Sequence, residues 1–267
     1  MSDGIDKLAG GLGKAIETAP ALYDDALKST TQETGKLLGR IPRAINAALS
    51  GIDKWILNKE YNVEETKKLL SQKLENLPPE NIVIPDAYVA VPAIQAISYS
   101  MNNDELRNLY ANLLAKSMSI DTKSIVHPAF VEIIKQMSPL DAMVLNHIEE
   151  FNFIPIVNLG IKTTTSNTSK KNMTKNITDF SFSSDTMLIS VSIDNLQRLG
   201  LIEIPENKKL LNNTRYDSIY DGEHFKLARA NLHKIADKDN GEKVVISKRY
   251  IRKTNLGKAF IKICIND

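Results

Sequence analysis

Three consecutive helix signals between residues 101 and 148 constrain the fold of this chain more than any other feature of its sequence. Asn103 and Asp104 mark the start of the first helix. Apolar residues then recur at the spacing that places them on one helical face: Leu106, Leu109, Tyr110, Leu113, Leu114 and Met118. Such a face has to be buried against other elements. The stretch therefore predicts the centre of a helical core, with Leu113 inside it.

Two further helices follow, and each has its own start signal. Pro128 stands where a first helical residue tolerates a missing N–H, and His127 would be its N-cap. A second apolar stripe begins at Phe130 and should be buried. Ser138 and Pro139 start the next helix, with an acid three residues after the serine, as in a capping box. The sequence predicts three short helices in series.

The segment SIVHPAFVEIIKQMSPLDAMVL, preceded by the helix ELRNLYANLLAKSM, resembles the central signature of the bacterial abortive-infection alpha family. The His-Pro-x-Phe turn and the Ser-Pro helix start carry the resemblance, and a weaker similarity extends over most of the chain. The resemblance implies a role in defence against phage. The resemblance does not identify any catalytic residues in this chain.

The composition is that of an ordinary globular protein, with 42% hydrophobic and 25% charged residues. These fractions argue against global disorder and against a protein with several membrane spans. The longest uncharged run, residues 87–103, is shorter than a spanning helix requires. The N-terminus does not resemble a secretion signal, and the single cysteine, Cys264, fits a reducing compartment. We expect a cytoplasmic protein without transmembrane helices.

Charge is divided unevenly along the chain. Residues 1–160 carry 15 Lys and Arg against 20 Asp and Glu, a net charge of −5. Residues 161–267 carry 19 against 12, a net charge of +7. A basic second half predicts an anionic partner, either a nucleic acid or a lipid surface.

Residues 1–41 are predicted to form a glycine-containing amphipathic helical arm. Gly10, Gly11 and Gly13 each lower helix stability by up to about 1 kcal/mol relative to alanine, so the arm needs a surface to cover it. Two interpretations remain open. The arm packs on the helical domain or on a second subunit, or residues 1–40 lie on a membrane surface. In the second case the protein would be a membrane-acting effector.

Residues 42–137 are predicted to form a helical bundle. An apolar stripe near its start contains Trp55, which we interpret as a core anchor. A helix is expected from about residue 63 to 77, where Pro78 and Pro79 end it. Together with the three helices described above, this helix and the apolar stripe predict an all-α region.

Residues 138–267 are predicted to form a winged-helix-like α/β domain, so that the whole protein is mainly α. Its recognition-type helix would span residues 187–199 and end at Gly200, where a left-handed cap is needed. The apolar positions of that helix that we expect to be buried are Val191, Leu196 and Leu199. Residues 243–253 alternate apolar and basic side chains and predict a wing strand. The polar run 162–179 predicts a mobile loop inserted in this domain.

No catalytic or metal-binding pattern is found. The four histidines have no metal-ligand spacing with one another: His127, His147, His224 and His233. The glycines near the N-terminus lack the strand and the Gly-Lys-Ser/Thr ending of a phosphate loop. Cys264 is expected to be a small buried hydrophobe. We therefore expect no enzyme activity, no cofactor, no metal and no small-molecule substrate.

One basic constellation stands out, on the predicted wing strand and the recognition-type helix: Lys248, Arg249, Arg252, Lys253 and Arg198. In a winged helix that binds nucleic acid, such side chains would contact phosphates. Two alternatives remain open: the basic strand is merely solvated, or the module contacts another protein. Together with the defence role that the resemblance implies, the sequence predicts a non-enzymatic protein that acts through a nucleic acid, a protein partner or self-association.

Overall fold

The computed structural model describes residues 63–97, 100, 102–163, 170–182, 185–237, 239 and 241–266. The predicted arm and Trp55 lie outside these residues. Within them the protein is mainly helical, with one four-stranded antiparallel sheet. The chain divides into two compact units. We call residues 63–136 with 259–266 the helical unit, and residues 137–258 the sheet unit. No helix within the described ranges combines the length and the apolar character needed to cross a membrane.

The helical unit is built around one central helix. Its elements are α1 (Val63–Leu74), α2 (Ala87–Ile97), α3 (Asp104–Ser117), α4 (Ala129–Lys135) and a C-terminal π-helical turn (Ile261–Ile265). Helix α3 contacts all the others. The Asn103 side chain caps it by accepting a hydrogen bond from the backbone N–H of Leu106. Leu113 is fully buried, as the apolar stripe predicts.

The end of the chain completes the core of the helical unit. The rings of Phe130 and Phe260 meet edge to face, with centroids 5.4 Å apart. The buried amide of Asn112 donates a hydrogen bond to the carbonyl oxygen of Cys264 at 3.0 Å. The sequence predicts that this segment belongs to the C-terminal domain. Residues 259–266 instead group with the helical unit, because their apolar side chains are buried there.

Helix α4 starts one residue later than its sequence suggests. It begins at Ala129, and Pro128 precedes it with a φ of −59°. The ring Nδ1 of His127 accepts a hydrogen bond from the backbone N–H of Ala129 at 3.1 Å. The N-cap residue is therefore Pro128 and not His127, although the His127 side chain satisfies the first N–H of the helix.

The sheet unit opens with α5 (Pro139–Glu149), which starts at a reciprocal pair of hydrogen bonds. Ser138 Oγ accepts from the N–H of Asp141 at 3.1 Å, and Asp141 Oδ2 accepts from the N–H of Ser138 at 2.6 Å. Asp141 is buried and also accepts from Asn195 Nδ2 at 2.9 Å. Asn195 belongs to α6 (Thr186–Arg198), so the capping carboxylate links the two helices.

The sheet has the strand order β2-β1-β4-β3. Its strands are β1 (Ile154–Thr163), β2 (Lys170–Ile177), β3 (Ile202–Glu203) and β4 (Glu242–Lys253). Strand β1 is buried over most of its length, since it lies in the middle of the sheet. Its core partners are on β2 and on the helical segments that follow β3: Ile177, Tyr216, Ile219, Phe225 and Leu232.

The prediction of a loop over residues 162–179 is wrong for residues 170–177, which form β2. This strand pairs with β1 through backbone hydrogen bonds, which a pattern of polar side chains does not reveal. The pairing register shifts opposite Asn158, whose Oδ1 accepts from the backbone N–H of Asn176 at 2.9 Å. Asn176 has a φ of 54°. A polar side chain thus satisfies the donor that the irregularity leaves unpaired.

The predicted recognition-type helix is α6. This helix ends before Gly200, which has the expected positive φ of 74°. Of the three positions predicted to be buried, Leu196 is buried, but Leu199 is half-buried and Val191 is exposed. The buried face of α6 instead carries Ile189, Ile193 and Leu196, because this face is the one that packs on α5 and β3. Helices α7 (Asp217–Asp221), α8 (Glu223–Ile235) and α9 (Asn255–Phe260) complete the described chain.

Candidate nucleic-acid interface

Lys248 belongs to β4, and its side chain lies beside two aromatic rings. Its Nζ is 5.1 Å from the ring centroid of Tyr216 and 5.6 Å from that of Tyr220. The same ammonium group donates a hydrogen bond to Asn213 Oδ1 at 3.0 Å. Contact with two ring faces holds the cation in place without neutralising its charge.

The segment that follows β3 is fastened alongside β4 by two side chains. The guanidinium of Arg249 donates to the carbonyl oxygen of Ile204 at 2.9 Å. The hydroxyl of Tyr216 donates to the carbonyl oxygen of Arg249 and accepts from the N–H of Leu210, both at 2.9 Å. Burial raises the pKa of Tyr216 above its ordinary value, so the hydroxyl keeps the proton that it donates. These bonds hold residues 206–209 beside the strand.

Arg252 and Lys253, at the end of β4, have intramolecular partners. Arg252 Nε forms an ion pair with Glu203 Oε1 at 2.7 Å, across the short pairing of β3 with β4. Lys253 Nζ donates to the carbonyl oxygen of Glu149 at 2.7 Å. These contacts join strands and helix ends within the sheet unit. Both residues therefore serve the structure of the unit, whatever else they contact.

Helix α6, the predicted recognition-type helix, exposes apolar side chains over its first two turns. Met187, Leu188 and Val191 are 76%, 51% and 54% exposed. Arg198, at the end of the helix, donates from Nε and Nη2 to Asn195 Oδ1 at 3.0 and 2.8 Å. A helix that enters a major groove presents polar and cationic side chains to bases and phosphates. The outer surface of α6 does not match that requirement.

Two adjoining clefts lie between β4, α8 and the segment after β3. The first has a volume of about 500 Å³ and the second about 760 Å³. Tyr220 and Ile246 line both, so the clefts meet at these two side chains. We call the combined surface the basic groove. It lies wholly within the sheet unit.

Six of the fifteen residues that line the basic groove are cationic. Lys226 and Arg229 of α8 line the first cleft, and four more cations line the second: Lys208, Lys209, Lys248 and Arg249. Glu206 is the single carboxylate among the lining residues. In the part of the chain that the structure describes, no ion pair involves any of these six cations. The groove therefore keeps a local excess of positive charge, which attracts anions.

Apolar and aromatic surface lies at the junction of the two clefts. Ile246 is 40% exposed, and Tyr220 is half-buried. The ring of Tyr220 packs against Phe225 with centroids 5.0 Å apart. Burial raises the pKa of Tyr220, so it remains a neutral phenol beside Lys248. The groove thus combines cations with an aromatic platform.

Metal-binding chemistry has no support in the described ranges, where no group of three or more His, Cys, Asp or Glu side chains is placed to hold an ion. The histidines are dispersed. His127 caps α4, His147 packs against phenyl rings, and His233 lines the basic groove. Burial lowers the pKa of His224 and raises that of the Cys264 thiol, and both effects favour the neutral side chain.

Of the five cations predicted to contact an anionic partner, the structure brings only Lys248 and Arg249 into the groove. The sequence analysis missed Lys226 and Arg229 on α8. Their spacing, with His233 four residues further on, does place them on one helical face, so a signal was present. Lys208 and Lys209 gave no local signal, because their position beside β4 depends on the distant contacts of Tyr216 and Arg249.

Comparison with known proteins identifies one family to which most of the described chain is similar. A sequence model of the family described as abortive infection alpha matches residues 58–264. No curated protein matches significantly. A solved structure, that of an uncharacterized protein from the hydrocarbon-degrading marine bacterium Alcanivorax borkumensis SK2, is similar at 14% sequence identity, with a TM-score of 0.35. The similarity covers 55% of this chain and 96% of that one, and at this score it carries no argument about function or fold.

Proposed function

The chain belongs to the abortive infection alpha family, and from this premise we propose that it is a phage-defence protein that acts by binding nucleic acid through the basic groove. The observation that carries the proposal is the set of six cations around one groove with a single carboxylate among them. Phosphates are the anionic groups that nucleic acids present in a closely spaced series. Cations that replace condensed counterions around them gain affinity from counterion release.

The proposed activity is binding, without a catalytic step. Lysine and arginine hold phosphate by charge and by hydrogen bonds, and Arg229 adds a planar guanidinium that can bond two phosphate oxygens at once. A defence protein of this kind would work in the cytoplasm, where phage nucleic acid is present during infection. Sequestering that nucleic acid, or sensing it, requires no chemistry at the groove.

We also propose that the sheet unit is a winged-helix-like module in which α6 does not contact nucleic acid. The support is the order α5, α6, β3, β4, with β1 paired to β4 and Gly200 turning the chain between α6 and β3. Because the outer surface of α6 is apolar, phosphate contacts fit the basic groove better. The apolar surface of α6 is the part of the module suited to a protein contact.

The proposal is tested by neutralising two exposed cations from opposite ends of the basic groove. The full-length protein and the double variant Lys209→Gln/Arg229→Gln are titrated with fluorescein-labelled nucleic acid in an anisotropy assay. If counterion release is the whole effect, the loss of two phosphate contacts should weaken binding roughly 25-fold at about 0.1 M salt. Lys262→Gln, at an exposed lysine of the helical unit, is the matched control and should bind like the wild type.

The same variants test the biological part of the proposal. In cells that carry the gene, Lys209→Gln/Arg229→Gln should lose protection against phage, whereas Lys262→Gln should keep it at equal protein levels. Full binding by the double variant would remove the groove from the proposal. Full protection by a variant that no longer binds nucleic acid would show that defence does not depend on nucleic-acid binding.

A further inference from the structure

We infer that the basic groove binds a single-stranded nucleic acid in preference to a duplex, with at least one base stacked at the junction of Tyr220 and Ile246. This inference rests on the proposed function, and it specifies the form of nucleic acid that the groove accepts. Single strands differ from duplexes in exposing the faces of their bases. The protein surface that distinguishes them is therefore one that combines cations with an apolar platform.

The cations lie on both sides of the apolar junction. Lys226 and Arg229 belong to the cleft on one side of Tyr220 and Ile246, and the other four groove cations belong to the cleft on the other side. A strand that runs along the groove would place phosphates against both sets of cations. Its intervening nucleotides would then pass over Tyr220 and Ile246, where a base can leave water.

Tyr220 has support on more than one side. Phe225 packs against its ring, and the ammonium of Lys248 lies 5.6 Å from its centroid. A ring held in this way loses little side-chain freedom when a base packs against its remaining exposed part. Ile246 adds apolar surface beside it and is itself 40% exposed. Stacking on such a platform tolerates any sequence, since every base has an aromatic face.

The size of the clefts also favours a single strand. Volumes of about 500 and 760 Å³ fall in the range of pockets that enclose small ligands, and this range suits one or a few nucleotides. A duplex would have to rest on the rims of the groove, and its paired bases could not reach the floor. Helix α6, which the winged-helix arrangement would offer to a duplex major groove, exposes Met187, Leu188 and Val191, and Arg198 is its single cation.

The test compares nucleic acids that have equal numbers of phosphates per strand. The full-length protein is titrated with labelled oligo(dT) and oligo(rU) of about 12 nucleotides, a length within the site sizes of grooves of this kind, and with a duplex of the same length. A third probe is an abasic strand of that length, which keeps the phosphates and lacks the bases. We expect the single strands to bind at least roughly tenfold more tightly than either the duplex or the abasic strand.

Two variants locate the stacking site. Tyr220→Ala should weaken single-strand binding roughly tenfold and leave duplex binding unchanged. Because Tyr220 is half-buried, Ile246→Ser provides a second variant at a more exposed position and should weaken single-strand binding in the same direction. Tyr88→Ala, at an exposed tyrosine of the helical unit, is the matched control and should have no effect.

The outcomes separate the inference from the proposed function. If the single strand, the duplex and the abasic strand bind equally, and Lys209→Gln/Arg229→Gln weakens all three, the groove binds phosphates and the stacking inference is wrong. If Tyr220→Ala and Ile246→Ser both fold and bind single strands like the wild type, the stacking site is wrong. If no probe binds at low salt, the proposed function and the inference both fail.

Discussion

The acidic partners of cationic side chains differ between the helical unit and the basic groove of the sheet unit. In the helical unit three cationic side chains are paired with acids: Arg107 with Asp104 at 2.7 Å, Lys123 with Asp86 at 2.8 Å and Lys135 with Glu132 at 2.7 Å. In the basic groove of the sheet unit, six cations share the surface with Glu206 alone. Charge that is balanced locally contributes little attraction for an external anion, whereas unbalanced charge creates it. The unbalanced positive charge therefore lies in the sheet unit, where we propose that nucleic acid binds.

The largest expected effect on stability lies in the core of the helical unit. Phe130 is almost completely buried and packs edge to face on Phe260, so Phe130→Ala should lower the free energy of unfolding by about 3–5 kcal/mol. Phe151→Ala removes the same atoms from an exposed position and should cost less than about 1 kcal/mol. Urea unfolding followed by circular dichroism measures both. Equal costs would contradict the assignment of Phe130 to the core.

A smaller effect is expected where the sheet unit is tightly packed. A Cβ at Gly257 would overlap the backbone carbonyl oxygen of Leu201, so Gly257→Ala should cost about 3 kcal/mol. At Gly200 a Cβ has room, and only its positive φ opposes a side chain. Gly200→Ala should therefore cost about 1–2 kcal/mol. Thermal melting of the two variants checks the order, and a larger loss at Gly200 would contradict the close approach at Gly257.

Local signals in the sequence are sufficient for much of the helical unit and for two helix ends of the sheet unit. The stripe through Leu113 predicts its own burial, and the Ser138 cap and Gly200 lie within a few residues of the helices that they start and end. Each of these features depends on neighbours along the chain. The periodicity of a helix and the chemistry of its ends can therefore be read without knowledge of the fold.

The sheet unit also depends on contacts between residues far apart in the sequence, and the predictions fail where those contacts decide the structure. Strand β2 is polar, and it is a strand only because β1 pairs with it. The basic strand β4 was recognised, but the partners of Arg252 and Lys253 could not be foreseen. The groove itself forms because the Tyr216 hydroxyl joins the segment after β3 to β4. No pattern within a short window contains that information.

The central claim is that the groove cations, which form no ion pair among the described residues, bind nucleic-acid phosphates, and the salt dependence of affinity tests it most directly. The logarithm of the association constant for a single strand is measured against the logarithm of salt concentration, for the wild type, Lys209→Gln, Arg229→Gln and Lys262→Gln. If all six cations contact phosphates, the wild-type slope should approach about −4, and each groove variant should reduce its magnitude by about 0.7 without changing thermal stability. The slope of Lys262→Gln should equal that of the wild type. Equal slopes for all four proteins would contradict the assignment of binding to the basic groove.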